Sequence, residues 1–280
     1  MESAYTLFFL GTGGGRFVTS TQKRRTAGIR IIGNNLNLHL DPGPGALVYS
    51  IQTGLDPQKL NAIMISHCHP DHYTDAEVLI EAMTHGTIQK RGILAATKSV
   101  LRGSMSGFDR VVSGYHQRMP EQVIETLPDI KFGVFSLKVA VTKARHTDPD
   151  AVGFRFKTDE FGDFAYTSDT EYFEDACKYY EGVKLLILCV MRPEGKPWKG
   201  HMTTDDAIRI VKEVRPQLAV LTHLGMQMIF KGPAKEARIV KDKTGVNTIA
   251  ATDGMQLVFG KETFVRTNNM KEQGGLSKFF

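Results

Sequence analysis

The chain has 280 residues, 41% of them hydrophobic, and its formal net charge is +5 at pH 7. A chain of this length can bury one large core, so we expect a single domain over residues 1–280. The positive charge is spread along the sequence, which allows a phosphate-bearing partner without requiring one. No apolar run reaches the roughly 18 residues that a membrane helix needs, so we expect no membrane-spanning segment.

The three cysteines, Cys68, Cys177 and Cys189, are widely separated and include no Cys-x-x-Cys pair. An odd and scattered set favours a reducing cytosol over a disulfide framework. The first apolar run, residues 5–10, is too short for the core of a signal peptide. We therefore expect a cytoplasmic protein.

Residues 5–10 predict a buried strand that ends in the glycine-rich segment GTGGG at residues 11–15. Glycines permit a tight turn with close backbone approach. Because no helical pattern follows directly, the segment does not resemble a dinucleotide-binding or P-loop element. We expect a tight turn beside a functional site, and an anion contact through its backbone amides is the alternative.

Residues 28–32 and 37–40 predict two further strands, the second of which ends at Asp41. Residues 44–54 predict a helix entered through proline. The apolar run 61–65 then predicts another buried strand, and the sequence SHCHPDH follows it at once.

Four potential metal ligands lie within that heptad, namely His67, His69, Asp71 and His72. Imidazole nitrogens and carboxylate oxygens suit zinc, manganese or iron. A loop that leaves a rigid strand can direct alternate side chains towards two points a few ångströms apart, which is compatible with two neighbouring metals. A histidine-rich turn that binds metal only adventitiously is the alternative.

After the heptad, Thr74 and Glu77 predict a capping box for a helix that ends at Met83. Residues 97–120 are assigned no role, and they could cover the site or lie on the surface. His85 and His116 are left outside the metal site. Further strands are predicted at residues 92–96, 132–142, 152–157, 161–167, 185–190 and 218–222.

Three more candidate ligands, His146, Asp169 and His223, come at or just past the ends of apolar runs. The carboxylate of Asp169 could bridge two metals because it has an oxygen for each. His201 lies just ahead of a helix predicted to run to about residue 214, with a threonine as its N-cap. The alternative for His201 is a capping loop that happens to contain a histidine.

The pattern His-x-His-x-Asp-His, together with the order of the later candidates, resembles the metallo-β-lactamase superfamily over roughly residues 5–260. The resemblance implies an α/β (α+β) fold, a four-layer αββα sandwich with two divalent metal ions at one edge. Zinc is the first expectation, with manganese and iron as alternatives. Asp41 resembles the aspartate that supports the metal site from behind. The implied ligands are His67, His69 and His146 for one ion, Asp71, His72 and His223 for the other, and Asp169 as the bridge.

His201 lies 22 residues before His223 (223 − 201), and this arrangement resembles the ribonuclease Z branch of the superfamily. In that branch the equivalent histidine acts on the scissile phosphodiester. Members that process transfer RNA carry a long arm between the third ligand motif and the bridging aspartate. Here 23 residues separate His146 from Asp169 (169 − 146), and the predicted hairpin uses them up. The chain therefore resembles the arm-less relatives, which include phosphodiesterases of small cyclic phosphates and nucleotides.

The resemblance thus implies a hydrolase that cleaves small cyclic or nucleotide-like phosphodiesters through a hydroxide bridging the two metals. Asp71 would orient the nucleophile, and His201 would donate a proton or a hydrogen bond to the leaving oxygen. The alternatives are a transfer-RNA 3′-processing endoribonuclease with RNA as its partner, a thioester, lactone or β-lactam hydrolase, and a binding protein without turnover. The sequence leaves a homodimer open, and it predicts a loosely ordered tail over about residues 265–280.

Overall fold

The computed structural model describes residues 4–33, 35–103, 109–158 and 160–266. Within these residues the chain forms fifteen β-strands and eight α-helices. The strands make two mixed sheets, and the helices lie outside them. The predicted α/β class is confirmed.

The first sheet has eight strands in the order β15-β14-β1-β2-β3-β4-β5-β6. Its strands β3 to β6 are parallel to one another, whereas the others pair antiparallel. The strands are β1 (Tyr5–Phe9), β2 (Ile29–Gly33), β3 (Leu36–Leu40), β4 (Ala62–Ile65), β5 (Ile93–Thr97), β6 (Gln122–Thr126), β14 (Met255–Phe259) and β15 (Phe264–Arg266).

The second sheet has seven strands in the order β13-β12-β11-β10-β9-β8-β7. Strands β10 to β13 are parallel, and β7, β8, β9 and β10 form an antiparallel meander. The strands are β7 (Lys131–Val134), β8 (Leu137–Lys143), β9 (Val152–Thr158), β10 (Gly162–Tyr166), β11 (Leu185–Cys189), β12 (Leu218–Thr222) and β13 (Thr248–Ala250).

The helices are mostly short connections between strands. The two longest, α6 and α8, cover the second sheet, and α4 covers the first. The helices are α1 (Arg16–Thr21), α2 (Ala46–Gln52), α3 (Pro70–Tyr73), α4 (Ala76–Met83), α5 (Lys98–Arg102), α6 (Thr204–Val214), α7 (Met226–Lys231) and α8 (Pro233–Thr244).

The central strands of both sheets are buried on both faces. Successive side chains of a strand point to opposite sides. In β11, Leu185 and Ile187 pack between the sheets, whereas Leu186 packs against the outer helices. In β4, Met64 faces the other sheet and Ile63 faces α4. One core cluster therefore lies between the sheets and one lies under each helical layer, which confirms the four-layer αββα sandwich.

The parallel strands of both sheets bring their carboxyl ends to one edge of the sandwich, where loops carry ligand sites in sheets of this kind. Strands β3 and β4 end at Asp41 and at the heptad. Strands β8, β10 and β12 of the second sheet end before His146, Asp169 and His223. The topology therefore gathers residues from distant parts of the sequence at this edge.

Four local expectations need correction. Helix α1 follows the glycine segment directly, although no helical pattern was expected there. Residues 132–142 form the hairpin β7–β8 instead of one strand, because the chain turns at Phe135, where φ is +51°. Helix α4 has no capping box, since the Thr74 hydroxyl donates to the carbonyl of Pro70. Residues 265 and 266 of the predicted loose tail belong to β15, and the rest of that predicted tail, residues 267–280, lies outside the described residues.

No helix in the described part of the chain is long and apolar enough to cross a membrane.

Candidate metal centre

The heptad after β4 places three imidazoles around one point. His69 ends an extended segment before Pro70 begins α3, so the chain bends sharply at this residue. The distance from His67 Nε2 to His69 Nδ1 is 3.0 Å, and that from His146 Nε2 to the same Nδ1 is 2.9 Å. His146 comes from the loop after β8. These three residues form the first ligand cluster.

A second cluster lies beside the first. His72 on α3 brings its Nε2 to 3.2 Å from Nε2 of His223, which follows β12. The Oδ2 of Asp71 is also 3.2 Å from His223 Nε2. His223 has a left-handed backbone with φ of +54°, a strained conformation of the kind that concentrates at functional sites.

Asp169 lies between the two clusters. Its Oδ1 is 3.2 Å from Nε2 of His223, and its Oδ2 is 3.7 Å from Nε2 of His72. The same Oδ2 is 3.9 Å from Nε2 of His146 and 4.0 Å from Nε2 of His67. Oδ1 therefore faces His223 of the second cluster, whereas Oδ2 lies between His72 and the first cluster, so the carboxylate reaches both clusters as a bridging ligand would.

His201 belongs to the same constellation. Its Nδ1 is 3.5 Å from Oδ2 of Asp169, and its ring is nearly parallel to that of His223, with centroids 6.0 Å apart. It also lies close enough to His146 and Asp169 to share a cation with them, which the sequence did not suggest. The structure thus brings together all eight residues predicted for the site.

Asp41 supports the second cluster through hydrogen bonds. Its Oδ2 accepts hydrogen bonds from Nδ1 of His72 at 2.9 Å and from the Tyr166 hydroxyl at 2.8 Å. The hydroxyl of Ser66 donates to the same oxygen, and the Ser66 backbone amide donates to Oδ1. The Ser66 hydroxyl also lies 3.0 Å from Nδ1 of His67. One carboxylate therefore orients His72 directly and His67 through Ser66.

The glycine segment packs against the ligands. A β-carbon at Gly14 would lie 2.2 Å from Nε2 of His223, so only glycine fits there. The amide of Gly15 donates to Oδ2 of Asp71 at 2.7 Å. The prediction of a tight turn beside the site therefore agrees with this geometry, and the amide of Gly15 binds a protein carboxylate.

His146 is oriented by a backbone group that no pattern in the sequence predicts. Its Nδ1 lies 2.7 Å from the carbonyl oxygen of Gly200, which fixes the N–H on that nitrogen and leaves Nε2 for the cluster. The two histidines left outside the site lie elsewhere. His116 contacts Glu77 and Glu81, and His85 contacts Arg91.

Burial and neighbouring charges set the protonation of the cluster. Burial, together with His72 and His146, holds the pKa of His67 well below its usual range. Burial, together with His146, lowers the pKa of His69 to about 4. Both imidazoles are therefore neutral near pH 7 and offer lone pairs. Burial opposes charge on Asp169, but His223 and His72 outweigh it and hold its pKa well below the ordinary value.

The charge balance of the site fits bound cations. Burial alone would lower the pKa of His72, yet the carboxylates of Asp41, Asp169 and Asp71 raise it well above the ordinary value. The carboxylates therefore stabilise positive charge at the site, and divalent ions would supply that charge. In addition, Oδ1 of Asp169 is buried without a hydrogen-bond partner among the described residues.

The spacing of the donors also fits metal ions. Ligands about 2.0–2.1 Å from a tetrahedral zinc ion lie roughly 3.3 Å from one another. The measured separations between ring nitrogens are 2.9, 3.0 and 3.2 Å. An αββα sandwich with such a centre at its edge is the arrangement of a metal-dependent hydrolase.

Comparison with known proteins agrees with this class. Residues 36–224 match the family model described as the beta-lactamase superfamily domain. The chain belongs to this superfamily, whose metal-binding fold it shares.

Two curated relatives and one solved structure illustrate the similarity. The uncharacterized protein MJ1374 of Methanocaldococcus jannaschii is 39% identical over 253 residues, covering 90% of this chain and 94% of the relative. Ribonuclease Z of Thermococcus kodakarensis is 23% identical, covering 95% of this chain and 99% of the relative. The metallo-beta-lactamase fold protein YhfI of Bacillus subtilis superposes with a TM-score of 0.75 at 20% identity, covering 91% of this chain and 99% of that structure. The chain therefore resembles the ribonuclease Z-like branch of the superfamily.

Proposed function

We propose that this protein is a binuclear metal-dependent phosphodiesterase that acts on small cyclic or nucleotide-like phosphodiesters. The observation that supports this proposal most is the position of His201. Neither cluster as defined includes it, although it lies close enough to His146 and Asp169 to share a cation with them, and its Nδ1 is 3.5 Å from the carboxylate between the clusters. A group in this position can contact the oxygens of a phosphodiester whose phosphorus lies at the metals.

In this proposal His67, His69 and His146 would hold one ion, Asp71, His72 and His223 would hold the other, and the carboxylate of Asp169 would be shared between them. Zinc suits this mixture of imidazole and carboxylate ligands, and manganese or iron are the alternatives. When bound, the ions would polarise the phosphoryl group and supply a nucleophilic water near neutral pH. The other roles in the mechanism, described next, are those of side chains of this protein.

His201 donates a hydrogen bond to charge that develops on the phosphate. Burial lowers its pKa to about 4, although Asp169 acts in the opposite direction. The imidazole is therefore neutral at pH 7 and carries a single N–H, so hydrogen-bond donation is favoured over full proton transfer. The pKa of Asp71 lies below its usual value despite burial, chiefly through His72. Its carboxylate is thus ionised and can orient the nucleophile.

The short interval between His146 and Asp169 supports a small substrate. It contains the loop after β8 and the hairpin β9–β10, and no further element. The alignment with ribonuclease Z spans 321 positions although this chain has 280 residues, so that relative contains segments which this chain lacks. The described elements of this interval leave little room for a protruding arm that grips RNA, which supports the proposal of a small substrate.

Endoribonuclease activity on transfer RNA is the second candidate, because the likeness to ribonuclease Z covers nearly the whole chain. Hydrolysis of a thioester or lactone is disfavoured, since it would leave His201 without a role at the centre. Cys68, Cys177 and Cys189 are buried free thiols, which supports a cytoplasmic location. The single domain and the homodimer stay predictions.

The test is a substrate panel with metal-reconstituted protein. Bis-p-nitrophenyl phosphate should be hydrolysed faster than p-nitrophenyl phosphate, a thioester and a β-lactam, and transfer-RNA precursors should not be cleaved. Loss of diester hydrolysis in His201→Ala, at unchanged metal content, would support the proposal. Turnover of only the thioester or the β-lactam would overturn it, and cleavage of a transfer-RNA precursor would establish the second candidate instead.

A further inference from the structure

A cleft of about 340 Å³ opens directly beside His201, on the side of the metal centre formed by the second sheet. We call it the aromatic cleft, because two aromatic rings, Tyr172 and Trp198, line it. Lys199 and Arg209 line it as well. Since His201 belongs to both places, a molecule bound at the metals can extend into this cleft.

The aromatic rings of the cleft can serve as stacking surfaces. Trp198 is the single tryptophan of the chain, and 60% of it is exposed. The Cζ of Arg192 lies 5.4 Å from the centroid of its ring, and Nε of Arg192 is tied to the carbonyl of Lys196. The Cζ of Arg209 lies 5.4 Å from the centroid of Tyr172. Trp198 is the exposed ring of the two, since Tyr172 is half-buried. An exposed aromatic ring beside a guanidinium group is the kind of surface on which nucleic-acid bases stack.

A tight turn joins the tryptophan to the metal centre. The amide of His201 donates to the carbonyl of Trp198 at 3.1 Å, and Gly200 between them has φ of +77°. The carbonyl of Gly200 is the group that orients His146, while its amide donates to Oε2 of Glu171 at 3.0 Å. The stacking surface, His201 and a metal ligand are therefore held in fixed relation by four consecutive residues.

Two acidic and two basic side chains line the cleft. Its two acidic side chains are already engaged: Glu171 accepts from Gly200, and Oδ2 of Asp206 accepts from the backbone and the hydroxyl of Thr203. Lys199 and Arg209 add positive charge at the rim. A nucleotide would thus meet aromatic surface for its base, in a cleft where Lys199 and Arg209 balance the charges of Glu171 and Asp206.

We propose that the aromatic cleft binds the nucleobase of a nucleoside phosphodiester, with the base stacked on Trp198, while its phosphate lies at the metal centre. This inference rests on the proposed function and names its substrate class. The base is recognised by stacking, which every base can provide, so discrimination among bases should be weak.

The kinetic test uses two competitors that differ only in the base, adenosine 5′-monophosphate and ribose 5-phosphate. Each is added as a competitor during hydrolysis of methyl p-nitrophenyl phosphate, a substrate without a nucleobase. Trp198→Ala should raise the inhibition constant of the nucleotide by roughly five- to a hundredfold. The constant of ribose 5-phosphate should stay within about twofold, because that molecule has nothing to stack.

Two further variants serve as controls for this result. Trp198→Phe keeps an aromatic surface, so the inhibition constant of the nucleotide should return to within about threefold of the wild-type value. Phe135→Ala removes an aromatic ring of similar exposure, 52%, from the β7–β8 turn and should change neither constant. Equal inhibition by both competitors, or an equal effect of Trp198→Ala on both, would overturn the inference.

The binding test needs no turnover. Trp198 is the chain's own fluorophore, so a stacking base should quench it when emission is excited at the red edge of the tryptophan band. Adenosine 5′-monophosphate should quench the metal-loaded protein, whereas ribose 5-phosphate should not. An unchanged spectrum with the nucleotide would overturn the inference.

The outcomes separate this inference from the proposed function. Quenching by the nucleotide without hydrolysis of any diester would uphold the cleft and refute the phosphodiesterase. Diester hydrolysis with inhibition that is independent of the base would support the phosphodiesterase and refute the cleft as a site for the base. A short oligoribonucleotide that binds far more tightly than the mononucleotide would overturn the restriction to small substrates. It would indicate that the site binds the end of an RNA chain.

Discussion

Replacing Gly14 with alanine should remove one metal ion from the centre. The added β-carbon would lie 2.2 Å from Nε2 and Cδ2 of His223 and 2.3 Å from its Cε1. Non-bonded carbon contacts lie at about 3.5 Å, so the imidazole must retreat by roughly 1.3 Å. Metal–nitrogen distances tolerate only about 0.2 Å. His223 therefore cannot keep its proposed ion in this variant.

The effect is measured as metal content after dialysis against a weak chelator, together with diester turnover. We expect one of the two ions to be lost and metal affinity at the second cluster to fall by at least about ten- to a hundredfold. Gly133→Ala is the matched control, because no atom lies within 4 Å of a β-carbon at that position. It should retain both ions and full turnover.

Retention of both ions by Gly14→Ala, at wild-type affinity and turnover, would refute this reasoning. It would mean either that His223 is not a ligand or that the glycine segment moves away at little cost. A second variant separates the two: His223→Ala should lose the same ion if the histidine is a ligand.

Three other predictions concern residues of the metal centre. His201→Ala should lower kcat by about 10²–10⁴ with bound metal unchanged, whereas His69→Ala should lose metal; equal metal loss in both would contradict the division of roles. Because burial lowers the pKa of His201 to about 4, the imidazole stays neutral above that pH, and the contribution of His201 should not decline between about pH 5 and 8. A decline with an apparent pKa near 6.5 would indicate a protonated acid instead. Asp41→Asn should weaken metal binding by about ten- to a hundredfold, because Nδ1 of His72 loses its charged partner; unchanged affinity in a metal titration would contradict this role.

Much of the site was predictable because the ends of the strands determine where the residues that follow them lie. Each of His67, His146, Asp169 and His223 follows an apolar run, and parallel strands bring such ends to a common edge. The helix after His201 was also predictable, since Thr203 forms a capping box at its start. These features depend on local sequence and on the general geometry of sheets.

The features that were missed depend on tertiary contacts. Tyr166 reaches Asp41 across 125 residues, and Gly200 meets His146 across 54. No local pattern marks either contact. In the unassigned stretch after β5, Ser99 binds Asp148, which also accepts from the amide of Cys68. Part of that stretch therefore supports the metal loop, and only the folded arrangement reveals it.

The aromatic cleft was missed for a similar reason. Trp198 and Lys199 lie in an irregular connection before α6, whereas Tyr172 lies after β10. Their proximity follows from the parallel pairing of β10 with β11 and from the turn that ends at His201. Sequence spacing alone does not bring them together.

The measurement that tests the central claim most directly is a metal titration of the metal-free protein, with bound metal and diester hydrolysis recorded on the same samples. The two ligand clusters predict that activity rises as the second equivalent of metal binds and stays constant afterwards. Full activity at one equivalent, or hydrolysis without metal, would contradict a two-metal phosphodiesterase at this edge.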